Sequence, residues 1–145
     1  MATRTTAPGV TVLLTRLSRL VYRRTPEEKL GLTLKEFGTL AQLREHNPTA
    51  QQDLGELLCI DANNLVLLLN DLEAAGYALR RRDPDDRRRH LVEITSEGIS
   101  ALEGAEAAME SVEDDVLGAL SPSERTELRK LLAKAFEGAP PSTRP

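Results

Sequence analysis

The apolar residues of this 145-residue chain recur at helical spacing on both sides of one short stretch, residues 77–95, where the period changes. Aromatic residues make up only 3% of the chain and Trp is absent, so the core is expected to consist of Leu, Val and Ala. Leu and Ala are good helix formers, and stripes of this period are typical of amphipathic helices. The sequence therefore predicts a mainly α fold with one small β-hairpin.

Capping signals predict where the central helices begin. Thr33–Glu36 has the pattern T-x-x-E and Thr49–Gln52 has the pattern T-x-x-Q, both typical of a capping box. Asp61 suits the N-cap of the next helix. These signals predict two short helices over residues 49–60 and 61–75, separated by a tight polar break. Such a pair is a helix-turn-helix candidate, although ordinary helix packing would give the same pattern.

The two ends of the chain carry longer apolar helices. One is predicted over about residues 10–25, and two more over about residues 96–137, the second of these beginning at the capping box Ser121–Glu124. No sheet is predicted that could cover their apolar stripes, so a partner chain would have to bury them; an intramolecular bundle is the alternative. Residues 1–9 and 139–145 are predicted to be a disordered arm and tail.

Positive charge is concentrated where the apolar period changes. The run RRRDPDDRRR occupies residues 80–89, and Asp-Pro suits a type I turn, so YALRRR and HLVEIT are predicted to form a hairpin around it. Residues 77–90 carry six Arg and three Asp, a balance of +3, whereas residues 96–127 carry nine acids and one Arg, a balance of −8. An arginine run is often a solvated face, but one directly after a helix-turn-helix candidate occupies the place of a DNA-binding wing.

The hairpin region resembles a known family. DPDDRRRHLVEITSEG, residues 83–98, is similar to the wing signature of the MarR (multiple antibiotic resistance regulator) family: an Asp-Pro turn, D-R-R, an apolar-x-apolar run, then Thr with a Gly three residues later. LLNDLEAAGY, residues 68–77, resembles the end of that family's recognition helix. The flanking helices match in length and order, so the likeness covers roughly residues 10–137.

The resemblance implies a winged helix-turn-helix lobe, at about residues 33–95, flanked by N- and C-terminal dimerisation helices. The three parts would form a single domain over residues 10–138. The resemblance further implies a homodimer whose two lobes meet successive major grooves of double-stranded DNA at a near-palindromic operator.

Candidate DNA-binding residues follow from the resemblance. Arg88 would enter the minor groove at the wing tip, Asp86 would orient an arginine, and Arg87 and Arg89 would contact the DNA backbone. At the start of the helix predicted over residues 49–60, side chains and backbone N–H groups can meet phosphate; the candidates there are Thr49, Gln51 and Gln52. The opening of the recognition helix supplies Ala62, Asn63 and Asn64, and Asn can pair bidentately with adenine.

The recognition helix departs from the family pattern at two positions. Where members commonly have Ser or Thr followed by Arg, this chain has Val66 and Leu67. Neither side chain can donate a hydrogen bond to a base, so the two would either touch thymine methyl groups or pack against something else. This departure supports an alternative function, a winged-helix protein with weakened DNA binding that acts through protein or ligand contacts.

The leading prediction is a transcription regulator, specifically a repressor, released from DNA by a small phenolic or anionic effector. By resemblance, the effector would bind where the dimer helices meet the DNA-binding lobe. Candidate pocket residues are Arg16, Leu20 and Met109, for which core packing or solvent exposure is the plainer interpretation.

Other classes of site find little support in the sequence. No nucleophile with a base and no phosphate-binding loop is present, so an enzyme is not predicted, and no cofactor is expected. His46 and His90 lack companions at ligand spacing, which argues against a metal site. Cys59 is predicted to be a small buried hydrophobe rather than a redox sensor. No signal peptide or membrane-spanning stretch is recognised, so a cytoplasmic protein is expected.

Overall fold

The structure is a computed structural model, and it describes residues 6–139. Within that range the elements in chain order are α1 (Val10–Arg24), α2 (Glu27–Leu30), α3 (Leu34–Glu45), β1 (Thr49–Ala50), α4 (Gln51–Leu58), α5 (Ala62–Ala74), β2 (Ala78–Arg82), β3 (His90–Ile94), α6 (Ser96–Val116) and α7 (Pro122–Glu137). The predicted fold class, mainly α with a small hairpin, is confirmed. The short helix α2 and the two-residue strand β1 are additions that the sequence did not predict.

Local capping chemistry fixes several helix starts as predicted. Thr33 Oγ1 accepts a hydrogen bond from Glu36 N at 3.1 Å, while Glu36 Oε1 accepts one from Thr33 N at 2.9 Å. Ser121 and Glu124 form the same reciprocal pair at the start of α7. Each cap satisfies backbone N–H groups that a helix start leaves without partners, which typically stabilises a helix by about 1 kcal/mol.

The predicted cap at Thr49 is wrong. α4 begins at Gln51, its N-cap residue is Ala50, and no side chain accepts a hydrogen bond there. Thr49 instead lies in β1, where it pairs with Val92 of β3 and is buried. Its hydroxyl donates to the carbonyl of His46, so the side chain is held away from the helix start. A strand pairing across 43 residues of sequence thus overrides a local capping signal.

A small antiparallel sheet and four helices enclose the core. The strand order is β1-β3-β2, and β3 pairs along its whole length with β2, so that Val92 lies opposite Arg80. Leucines of α3, α4, α5 and α6 fill the space against this sheet; those with essentially no exposure are Leu40, Leu43, Leu54, Leu69, Leu72 and Leu102. The winged lobe is therefore held by aliphatic packing, as the composition predicts.

The hairpin turn is longer than the sequence suggests. The strands end at Arg82 and resume at His90, which leaves a seven-residue loop instead of a tight turn, and the second arginine trio, residues 87–89, lies in that loop. Asp83 N donates to Arg89 O at 2.9 Å and Arg89 N donates to Asp86 O at 2.9 Å, closing the loop. The hairpin formed by β2, this loop and β3 is called the wing below.

The terminal helices α1 and α7 contain no buried residue. Both lie beside α6: Arg24 of α1 pairs with Asp115 at 2.9 Å, and Arg125 of α7 pairs with Asp114. Of the predicted arm, residues 1–5 lie outside the described range and residues 6–9 have no regular secondary structure. Of the predicted tail, residues 140–145 lie outside the described range. No helix among residues 6–139 is long and apolar enough to cross a membrane.

Candidate nucleic-acid interface

A cleft of about 670 Å³ separates the wing tip from the starts of α4 and α5. Five of the residues predicted to contact DNA line it, two from α4, one from α5 and two from the wing: Gln51, Gln52, Ala62, Arg88 and Arg89. Two helix N-termini and two guanidinium groups thus face one concave surface. Backbone N–H groups at helix starts and arginine side chains both bind phosphate oxygens well, so the wing side of the cleft suits a polyanion. Two carboxylates, Glu56 and the α5 cap Asp61, also line the cleft.

The wing tip presents Arg88 in a defined position. Asp86 Oδ1 accepts a hydrogen bond from Arg88 N at 3.1 Å and lies 3.4 Å from Arg88 Nε. The Arg88 side chain is nonetheless 93% exposed. Asp86 therefore orients the base of this side chain while leaving most of the guanidinium exposed.

The six arginines of the wing divide into two groups that the sequence did not distinguish. Arg80 pairs with Glu73 and Asn70 of α5, and Arg81 pairs with Glu93 at 2.7 Å. Arg82 donates to the carbonyl of Arg87 at 3.1 Å, which braces the loop from within. These three arginines are engaged by the protein itself.

The other three arginines are at the tip. Arg87 and Arg88 are exposed, and Arg89 makes one long contact, 3.6 Å, with Asp53 of α4. An exposed pair at this distance contributes little energy, so Arg89 can exchange it for phosphate. Of the six wing arginines, the three at residues 87–89 are therefore the ones whose charge is available to a ligand.

Asp61 holds the start of α5. Its carboxylate accepts hydrogen bonds from Asn64 N at 2.9 Å and from Asn64 Nδ2 at 2.6 Å. These bonds from Asn64 favour the charged carboxylate and lower the pKa of Asp61 below its ordinary value. The Asn64 amide is thus committed to the cap, whereas Asn63 beside it is exposed at the helix start.

The run LVLLL divides between the core and the surface. Leu65, Leu68 and Leu69 are buried, whereas Val66 is 38% and Leu67 is 62% exposed. Val66 and Leu67 follow Asn63 by three and four residues, so all three lie on the outward side of α5. The recognition helix therefore presents an apolar patch beyond its polar first turn.

Comparison with known proteins decides the family. Residues 32–90 match the model of the MarR family. A putative transcriptional regulatory protein for the hcr operon of Thauera aromatica is 30% identical over 115 residues, covering 79% of this chain and 69% of that protein. The chain belongs to the MarR family. The HTH-type transcriptional repressor NicR of Pseudomonas putida is 29% identical, over 73% of this chain and 67% of its own length.

Several solved structures share the fold. A probable transcriptional regulator from Pseudomonas aeruginosa is 31% identical, with a TM-score of 0.72, and covers 86% of this chain and 95% of its own. A MarR variant from E. coli complexed with operator DNA has a TM-score of 0.72 at 23% identity, over 87% and 92% of the two chains. Bordetella bronchiseptica BpsR, whose DNA binding is regulated by 6-hydroxynicotinic acid, has a TM-score of 0.73 at 26% identity, over 96% and 100%.

MarR proteins are DNA-binding transcription regulators and not enzymes, so this part of the sequence prediction is confirmed. The DNA contacts of the predicted residues remain predictions, but the structure distinguishes the residues that line the cleft from those that do not. Thr49 is buried and turned toward His46, so it does not line the cleft, whereas Gln51 and Gln52 do. The described residues 6–139 contain no group of three or more His, Cys, Asp or Glu placed to hold a metal ion.

Cys59 differs from its prediction. The residue is exposed, not buried, and it ends α4 in the left-handed region with a φ of 55°. Its backbone N–H donates to Glu56 O at 3.2 Å, which closes the helix and turns the chain toward Asp61. The apolar neighbours Leu58 and Ile60 suggested burial, but the reversal needed between α4 and α5 places Cys59 on the outside of the bend.

The predicted effector residues line neither of the two clefts described for this structure. Arg16 and Leu20 lie exposed on α1, and Met109 packs against the core from α6; none of the three lines the DNA-side cleft or a second cleft of about 390 Å³. The second cleft lies between the end of α1, the start of α3 and α5. It is lined by residues that include Tyr22, Glu27, Lys35, Asn64, Leu67 and Asp71.

Proposed function

We propose that this MarR protein is a repressor that binds a near-palindromic operator as a homodimer and is released by a small-molecule effector. The observation that carries the DNA-binding part is the position of Arg88. Asp86 holds it at the wing tip, almost fully exposed, across the 670 Å³ cleft from the starts of α4 and α5. With α5 in a major groove, the wing would place Arg88 at the adjacent minor groove and Arg87 and Arg89 at phosphates.

A homodimer gives α1 and α7 something to pack against. Neither helix buries a residue, yet both carry large apolar side chains that are about half exposed: Val12, Leu13, Leu14 and Tyr22 on α1, and Leu131, Leu132 and Phe136 on α7. A helix in water gains most of its stability from packing its apolar face. Continuous apolar faces of this extent mark interaction sites, and a second copy of the same chain supplies matching faces with two-fold symmetry.

The effector is proposed to bind in the 390 Å³ cleft. Leu67 and Asn64 belong to both this cleft and the exposed side of α5, so an occupant would shift the recognition helix between arrangements that fit the operator and arrangements that do not. Three carboxylates and one cation line the cleft: Glu27, Glu36, Asp71 and Lys35. Of the two predicted effector types, this balance favours a neutral phenolic molecule over an anion.

Two observations on relatives support repression and release by an effector. NicR is a transcriptional repressor, and the DNA binding of BpsR responds to 6-hydroxynicotinic acid. A regulator of this type acts where the chromosome is, so we place the protein in the cytoplasm.

Catechol, a neutral phenol, is expected to release the operator at lower concentration than benzoate, an anion of similar size. Fluorescence anisotropy of a labelled operator duplex with each compound titrated in gives the two midpoints. Asp71→Asn removes one carboxylate from the cleft and is expected to narrow the difference between the two compounds. A lower midpoint for benzoate would contradict the placement of the effector in this cleft.

Arg88→Ala is expected to lower operator affinity by about tenfold without changing the fold or the oligomeric state. The reason is that a specific arginine contact to DNA is worth about 1–3 kcal/mol, whereas the Arg88 side chain is 93% exposed and its ion pair with Asp86 is long, at 3.4 Å. The measurement is a direct binding titration against the protein's own upstream region over a salt series. Specific binding should weaken steeply with salt.

Arg81→Ala is the matched control for this test. It removes a second wing arginine of similar chemistry whose guanidinium is paired with Glu93, so it should cost much less affinity than Arg88→Ala. Equal losses from the two variants would refute the assigned role of Arg88. The second candidate is a winged-helix protein that acts through protein or ligand contacts, which the exposed apolar pair Val66 and Leu67 would also allow; equal, weak affinity for every duplex would support it.

A further inference from the structure

We infer that the outward face of α5 recognises thymine through its C5-methyl groups, with Val66 and Leu67 as the specificity-determining residues. The inference rests on the proposed function, since it assigns what the recognition helix reads once the wing has engaged DNA. It predicts that each half-site of the operator contains T·A pairs whose methyl groups contact Val66 and Leu67.

The first argument is the shape of the exposed face. Val66 and Leu67 keep 38% and 62% of their surface exposed, while the residues on either side of them, Leu65 and Leu68, are buried. They lie one turn beyond Asn63, which is exposed at the helix start. A helix that enters a major groove from its N-terminal end would bring these two side chains to base edges next.

The second argument is the lack of other groups that could read bases there. α5, residues 62–74, contains no Lys or Arg, and arginine is the commonest reader of guanine. Asn64 donates its amide to Asp61, and Asn70 accepts from Arg80, so both are engaged within the protein. What the face can offer beyond Asn63 is therefore apolar contact, and the thymine methyl is the apolar feature of the major groove.

The third argument concerns why DNA, and not another protein, would cover this patch. Ala62, one turn before Val66 on α5, lines the 670 Å³ cleft, which Arg88 and Arg89 of the wing also line. An apolar patch beside exposed guanidinium groups complements a groove that has methyl groups on its floor and phosphates along its rim. A purely apolar partner would leave those arginines without counter-charges.

The test compares thymine with deoxyuridine, which differs by the methyl group alone. An operator duplex selected by the wild-type protein from a random pool is remade with dU in place of dT, one position at a time. At one or two positions in each half-site we expect a loss of about fourfold in affinity per position, the fold-change that corresponds to one buried methyl group. Replacing such a pair by C·G should also weaken binding, and 5-methylcytosine should restore part of the loss.

Variants connect the methyl effect to the two side chains. Leu67→Ala and Val66→Ala should bind the dT and dU duplexes nearly equally at the position that each side chain contacts. Leu79→Ala, which truncates an exposed leucine of β2 outside the recognition helix, should keep the full difference between dT and dU. Circular dichroism checks that the variants fold. A further variant, Leu67→Gln, has a side chain of similar length that lacks the apolar end.

The possible outcomes distinguish failure of this inference from failure of the proposed function. If the protein selects no preferred duplex from the pool, the proposed function fails and the thymine inference fails with it. If it selects an operator but tolerates dU at every position of the half-site, the proposed function stands and the inference is overturned. Unchanged operator affinity in Leu67→Ala and Val66→Ala would likewise overturn it.

Discussion

A Leu132→Glu variant is expected to be monomeric and to bind the full operator at least about a hundredfold more weakly than the wild-type protein. Leu132 lies on the apolar stripe of α7, a helix that buries no residue within its own chain. A carboxylate at this position would have to lose its hydration on association, which costs several kcal/mol without a partner charge. The operator would then be bound by one lobe at a time, so the protein would lose the increase in affinity of about 10²–10⁴ that linked binding sites provide.

Sedimentation velocity measures the oligomeric state, and a binding titration with full-length and half-site duplexes measures the consequence. Half-site affinity should remain close to that of the wild-type protein, because the winged lobe does not depend on α7 for its core. Thr126→Glu adds the same charge to an exposed position on the opposite side of α7 and should leave the dimer intact. A wild-type protein that sediments as a monomer would contradict the expectation outright.

Features that depend on neighbouring residues were predictable from the sequence. Thr33, Asp61 and Ser121 cap their helices as expected, because a cap needs only a side-chain oxygen and a backbone N–H two or three residues away. The buried leucines of α5 also follow from helical spacing, since a helix that packs on a core must bury one stripe. Both kinds of signal lie within a single turn or two of the chain.

Features that depend on distant partners were not predictable. Thr49 has the sequence context of a cap, but β3 recruits it into the sheet from 43 residues away. β1 contains two residues, too few to show an alternation. The same limit applies to the site: Arg80 and Arg88 are equivalent in the sequence, and only the fold shows that Glu73 and Asn70 engage the first while the second is left exposed.

Gly98→Ala is expected to destabilise the protein by about 3 kcal/mol, at the upper end of the usual cost of overpacking. A Cβ atom at Gly98 would lie 2.2 Å from the carbonyl oxygen of Tyr77 and 2.9 Å from Ile94 Cγ1. That same oxygen accepts the hydrogen bond of Thr95 N at 3.0 Å, so the clash falls on backbone that is already committed. The glycine of the wing signature thus permits the first turn of α6 to rest directly on the chain that enters β2.

Gly104→Ala is the matched control, because it makes the same substitution in the same helix where an added Cβ meets nothing within 4 Å. It should stabilise the protein by about 0.5–1 kcal/mol, since alanine loses less backbone entropy than glycine in a helix interior. Urea unfolding at one protein concentration measures both variants, which keeps any contribution from association constant. If the free energy of unfolding falls for Gly98→Ala and rises for Gly104→Ala, the contact with Tyr77 is what requires glycine at residue 98. Equal changes in the free energy of unfolding would mean that helix propensity alone explains both variants.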